Sequence, residues 1–137
     1  MRTEVMRKEI RLKKSLLYQD EETGILVQRV GSGAFLEADD SREWIEGVYK
    51  LQGSQPLYFL ADMRGLRGQS KESRRISGDK DPRLNIYGGA GLINNGASKI
   101  LGNFMLSLNK ISHPIRLFTN EEEAFKWLVE LKKKNGH

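Results

Sequence analysis

At 137 residues the chain can bury one real core without metal or disulfide staples. It has no cysteine, which excludes disulfides, thiol catalysis and cysteine-held metals and suits a reducing cytoplasm. The formal net charge of +5 belongs to the ends: residues 1–14 carry +4, residues 131–137 carry +3, and the stretch between them carries −2. An alkaline protein with a near-neutral middle has no general nucleic-acid signature. No apolar run reaches transmembrane length, and the first residues lack the apolar stretch of a signal peptide. The expectation is a soluble cytoplasmic protein that is not transmembrane.

In chain order, residues 1–14 mix charge with isolated apolar side chains and read as a charged arm or a first edge strand. Residues 15–137 read as one domain. Ser15–Gln19 and Ile25–Val30 are strands joined by the turn residues Asp20-Glu-Glu-Thr-Gly24, which predicts an antiparallel hairpin. Asp39-Asp40-Ser41 offer N-caps for a helix whose apolar residues Trp44, Ile45, Val48, Tyr49 and Leu51 recur at helical spacing. Leu57–Ala61 is a continuous apolar run, the pattern of a central strand buried on both faces. A short polar helix is predicted from Ser70 to about Gly78, then a strand over 84–87. The glycine-rich stretch Gly88–Gly91 follows as a turn, leading through Asn94 and Asn95 to a helix over 97–109. Ile115–Phe118 is a strand. Thr119-Asn-Glu-Glu-Glu-Ala starts a final helix that buries Ala124, Phe125, Leu128 and Leu131. The predicted order is β-β-α-β-α-β-α-β-α, which implies an α/β fold whose sheet is mostly parallel with an antiparallel N-terminal hairpin.

The most informative segment is Leu57-Tyr-Phe-Leu-Ala-Asp62-Met-Arg-Gly65-Leu-Arg-Gly68-Gln-Ser70. A buried strand ends in a carboxylate, and in α/β sheets the carboxyl edge is where function usually sits. Asp62 reads as a turn-former accepting backbone N–H bonds, or else as a base or a binding group. Ser70 reads as a helix cap, or else as a phosphoacceptor beside Arg67, Lys71 and Arg74. Gly89, Gly91, Asn94, Asn95 and Ser98 are candidates for holding a small ligand or anion at the start of a helix. The alternative is a set of turns before a packed helix, since neither a P-loop nor a dinucleotide fingerprint is present. His113 and His137 are too far apart in sequence to suggest a metal site. No catalytic set, cofactor or metal site is assigned.

With its hairpin entry, the Asp62-Met-Arg-Gly65-Leu66 turn, the glycine-rich stretch and the ending Pro114-Ile-Arg-Leu-Phe118…Ala124-Phe-Lys-Trp127-Leu128, the chain resembles the STAS or SpoIIAA-like proteins. It is similar in particular to small bacterial members described as STAS/SEC14-like, over roughly residues 15–131. Regulatory STAS domains carry a phosphorylated Asp-Ser-Ser/Thr-Gly after this turn. Here Gln69-Ser70-Lys71-Glu72 takes that place, and Ser70 meets the phosphoacceptor position with one residue of offset. The resemblance implies a non-enzymatic regulatory module like the anti-sigma-factor antagonists. A protein partner would meet Asp62, Arg64, Gly65, Arg67, Gly68, Gln69, Lys71 and Arg74, and homo-oligomerisation is compatible with this. The alternative it implies is a carrier or sensor of a small apolar or lipidic ligand. Specific nucleic-acid binding is not expected.

Overall fold

The computed structural model describes residues 8–78, 81–97, 100–103 and 111–137. In chain order they form β1 (Glu9–Arg11), β2 (Ser15–Gln19), β3 (Leu26–Val30), β4 (Ala34–Leu36), α1 (Ala38–Gln52), β5 (Pro56–Asp62), β6 (Leu66–Gln69) and α2 (Lys71–Gly78). β7 (Asn85–Leu92), β8 (Ile115–Phe118) and α3 (Glu121–Lys134) complete the set. Residues 100–103 are helical, within the helix expected over 97–109; the rest of its stripe, including Phe104, Met105 and Leu108, lies outside the described residues.

The main sheet runs β1-β2-β3-β5-β7-β8. β1, β2 and β3 are antiparallel neighbours, and β3, β5, β7 and β8 are parallel. This is the α/β architecture expected from the alternation of strand and helix patterns. The hairpin turn forms as its residues dictate: Asp20 accepts from the Thr23 backbone at 2.9 Å and from the Thr23 hydroxyl at 2.6 Å, and Gly24 takes φ +75. Tyr18, Val27, Tyr58, Leu60, Ala90 and Leu92 pack on one face of the sheet with Ala124 and Leu128 of α3. Leu17, Leu26, Leu57 and Leu84 pack on the other with Val48 of α1, flanked by Trp44, Ile45 and Leu51.

β1 lies at the sheet edge, within the stretch read as an arm or a first edge strand, and two short strands join the expected order: β4 and β6, which form a separate parallel pair. Ser70 extends that pairing by donating its backbone N–H to Leu36 O at 2.8 Å. The start of α1 also differs from expectation. Its cap position is Glu37, whose backbone N–H donates to Asp40 at 2.8 Å, while Ser41 turns inward. Ser41 meets Ser73 Oγ at 2.6 Å and Ser77 Oγ at 3.2 Å, so hydroxyls seat α2 on α1.

The larger correction concerns the glycines. Gly88–Gly91 lie inside β7 and are buried, where the sequence reading placed a turn. Side chains from neighbouring elements lie across the strand and leave no room for a Cβ. One built on Gly89 would stand 2.5 Å from the Phe59 ring, and one on Gly91 would stand 2.6 Å from Leu117. Gly88 is overlain in the same way by Leu131 on the α3 side. Gly89→Val should therefore destabilise the fold by about 1–3 kcal/mol through overpacking. Gly102→Ala, in a helical turn with open space around it, should be neutral or stabilise by up to about 1 kcal/mol. Urea unfolding of the two variants checks this, and a Gly89→Val protein as stable as the parent would contradict the packing argument.

Candidate functional site

Arg29 and Asp62 are register partners at the carboxyl ends of β3 and β5. Each lies two residues beyond a core side chain, Val27 and Leu60, so both project onto the face covered by α3. Asp62 is buried. Its Oδ2 accepts from Arg29 Nη1 at 3.0 Å and from Arg64 Nη2 at 2.9 Å. Its Oδ1 accepts from Arg64 Nε at 2.9 Å and from the Arg64 backbone N–H at 3.2 Å.

The Arg29 guanidinium also binds Glu121 with both terminal nitrogens: Nη1 donates to Oε1 at 2.6 Å and Nη2 to Oε2 at 3.1 Å. Nη2 and Nε further donate to Tyr18 Oη at 3.1 and 3.3 Å. Arg64 Nη2 reaches Glu121 Oε1 at 3.2 Å and closes the circuit. Glu121 is the first residue of α3, so its carboxylate also sits at the positive pole of that helix.

Burial works against ionisation of Asp62, but hydrogen bonds from Arg64 and Arg29 outweigh it and hold the carboxyl below the usual range. The bonds from Arg29 hold Glu121 low as well, against a smaller cost of burial. Arg29 is shifted further up in turn, chiefly by Glu121 and despite its own burial. Two guanidinium groups and two carboxylates are thus charged at neutral pH and sum to zero. A carboxylate so engaged is a poor proton acceptor, and its lone pairs are already occupied.

The turn after Asp62 is held closely against the end of β3. Gly65 O accepts from the Gly33 N–H at 2.7 Å, and a Cβ on Gly65 would stand 2.9 Å from the carbonyl oxygens of Val30 and Gly31. Gly68 passes beneath the Phe35 ring in the same way. Ser70 caps α2, its Oγ accepting from the Ser73 N–H at 3.0 Å. Gln69 is tied inward, its Nε2 donating to Ser73 Oγ at 2.8 Å and its carbonyl accepting from Arg74 Nη1 at 2.9 Å. Arg64, Arg67 and Lys71 are exposed.

Asn94 joins this turn, donating from Nδ2 to Arg64 O at 2.9 Å. With Asn95, Met63, Arg64 and Arg67 it lines a hollow of about 330 Å³. Gly89 and Gly91 take no part in that hollow. Both are buried in the interior of β7, between β5 and β8, and the Gly89 N–H donates to Pro114 O at 3.0 Å. Ser98 lies outside the described residues. His113 is pushed to a lower pKa by burial, and its ring packs beside Phe59 with centroids 5.9 Å apart.

A second, open groove of about 790 Å³ lies on the other side of the turn, with Arg67 on the ridge shared by both hollows. The sequence reading missed this groove and the roles of Arg29, Tyr18 and Glu121. One signal was available: Arg29 interrupts the apolar run of its strand at the same sheet edge as Asp62.

The mostly parallel sheet with its antiparallel entry hairpin has a SpoIIAA-like fold. A solved structure of this fold, an uncharacterized DUF3478-family protein from Shewanella loihica PV-4, matches with a TM-score of 0.60. The match covers 93% of this chain and 99% of that one, at 13% sequence identity. The model of DUF7793, a domain of unknown function, matches residues 19–132, and the chain belongs to that family. No curated protein matches the chain.

Arg29 is largely buried and serves two carboxylates, whereas Arg64 is 43% exposed at its side chain. Arg29→Ala should cost about 3 kcal/mol, because it removes the more buried cation from Asp62 and Glu121 and leaves both to Arg64 alone. Arg64→Ala should cost about 1 kcal/mol or less. Equal losses in denaturant unfolding would contradict this ranking.

The pH dependence has a definite sign. Asp62 and Glu121 have folded pKa values below their unfolded ones, so their contribution is complete above the ordinary carboxylate range. It is lost as pH falls through the depressed folded values, because the unfolded chain takes up protons first. Melting across roughly pH 5 to 2 should therefore drop more steeply for the parent than for Arg29→Ala, in which both carboxyls lose one of the cations that hold them low. Parallel curves would refute the assignment.

Proposed function

We propose that this protein is a non-enzymatic regulatory or binding module that presents the turn after Asp62 and the start of α2 to a protein partner. The observation that carries this reading is the complete engagement of Asp62. The group placed where a sheet usually delivers its chemistry is bonded to Arg29, to the side chain of Arg64 and to the Arg64 backbone. It acts as a brace, and the turn and the start of α2 that follow it present Arg67 and Lys71 at the surface. Exposed cations on a pre-ordered backbone beside two hollows suit recognition, because little ordering entropy is lost on binding. Asn94 and Asn95 extend the same face with neutral hydrogen-bonding groups.

Ser70 has a structural duty as the cap of α2. A phosphoryl group there would stand beside Lys71 at a helix N-terminus, a favourable setting for negative charge. The apolar-ligand alternative draws less support, since the larger groove is walled by Arg11, Lys13, Lys14, Arg29 and Arg67.

The test is affinity capture from the native cell with three baits: the parent, Arg67→Glu/Lys71→Glu, and a control reversed at the far end of α3, Lys133→Glu/Lys134→Glu. One or more proteins should be enriched by the parent and the control and lost with the turn variant. Identical capture by all three would overturn the reading.

A further inference from the structure

The larger groove runs between two walls. The β1–β2 turn, residues 12–14, forms one, and the β3–β4 loop, residues 31–33, forms the other. Its lining carries five cations, Arg11, Lys13, Lys14, Arg29 and Arg67, against a single carboxylate, Glu37. Two of the cations are already satisfied. Lys14 binds Asp40 at 2.7 Å and Glu37 at 3.5 Å, and Arg29 belongs to the Asp62–Glu121 circuit.

The side chains of the other three make no ion pair with a carboxylate among the described residues, although the Lys13 backbone N–H donates to Glu43 Oε1 at 3.1 Å and sets that carboxylate beside the first wall. Arg11 and Lys13 are exposed on the first wall. Arg67 stands on the ridge, its guanidinium 5.1 Å from the centre of the Phe35 ring and its Nε donating to Gly33 O at 3.3 Å. Three side-chain cations with no ion pair among the described residues share one concavity, and an anionic occupant relieves their mutual repulsion.

We propose that this groove binds an extended acidic peptide segment of a partner protein, whose carboxylates pair with Arg11, Lys13 and Arg67. The proposal rests on the reading of this sheet edge as a recognition surface and names the chemistry of what is recognised. A peptide fits better than the other polyanions. The groove has one aromatic, Phe35, and Arg67 covers its face, so bases find no stacking platform. It is concave and walled by charged side chains, whereas a membrane surface requires a flat or apolar face. Its volume of about 790 Å³ is ample for a short stretch of chain. The exposed loop residue Ser32 offers a hydroxyl and a main-chain N–H at the wall, groups able to meet a peptide's own backbone or carboxylate.

Fluorescence anisotropy of a labelled peptide of alternating Glu and Ser tests this, with a Gln-for-Glu peptide, a single-stranded oligonucleotide of equal charge and anionic lipid vesicles as comparisons. The protein variants are Arg11→Ala/Lys13→Ala and the distant control Lys133→Ala/Lys134→Ala. All four side chains are exposed, and melting curves verify that both variants are folded.

The acidic peptide should bind the parent, weaken as salt is raised, and bind the groove variant at least about tenfold more weakly. The distant control should bind it unchanged. Absence of binding, equal loss in both variants, or equal preference for the oligonucleotide or vesicles overturns the proposal. If the turn variant Arg67→Glu/Lys71→Glu loses a captured partner while Arg11→Ala/Lys13→Ala leaves peptide binding and capture intact, the groove proposal fails and the wider reading stands. If the peptide binds as expected but no protein is captured, the wider reading fails alone.

Discussion

The guanidinium of Arg29 touches three elements at once: Tyr18 on β2, Asp62 at the end of β5 and Glu121 at the start of α3. Burying a charge is costly, and an ion pair out of water often fails to repay that cost in net stability. What it does enforce is pairing. Once Asp62 is buried, any packing that separates it from Arg29 leaves its charge to Arg64 alone and the Arg29 guanidinium without one of its carboxylates, so the relation of sheet edge to helix end shown here is favoured. The turn carrying Arg64 inherits that relation, because its first residues are bonded to the same carboxylate. Everything placed at the carboxyl edge, including the two hollows and Arg67 between them, is held from this point.

The rest of the architecture is fitted by shape rather than charge. β7 can lie at the centre of the parallel sheet because its glycines give way to Phe59, Leu117 and Leu131, which cross it from both faces. α2 is seated differently. Its fully buried Ser73 meets Ser41 through a hydroxyl contact, and directional bonds fix the helix in register where apolar packing alone would let it slide. Gln69 and Ser70 extend that polar contact to the strand before the helix, so the turn, β6 and α2 form one continuous unit beside the braced carboxylate.

These features differ in how visible they are along the chain. Asp62 is conspicuous because it ends an apolar run, and the capping of α2 by Ser70 follows from local chemistry. Helix and strand order is legible because both periodicities are strong around Val48, Leu57–Ala61 and Leu128. The strand character of Gly88–Gly91 is hidden because its cause is remote: glycine reads locally as a break, and only Phe59 and Leu117 on neighbouring elements make it a packing requirement. Glu121 reads as an ordinary helix-dipole partner, since nothing near it in sequence announces Arg29, 92 residues away. β4 and β6 are too short to show a period, and they exist because they find each other across about thirty residues. The groove is invisible for a related reason, as its two walls come from separate loops.

The cations facing outward at this edge, Arg11, Lys13, Arg67 and Lys71, are arginines and lysines without exception. The four charges behind them, on Arg29, Arg64, Asp62 and Glu121, offset one another within their own circuit. The electric field at the mouth of the groove is therefore set by the outward cations, and its reach contracts with the Debye length as ions are added. Such a surface responds to the ionic strength of its surroundings.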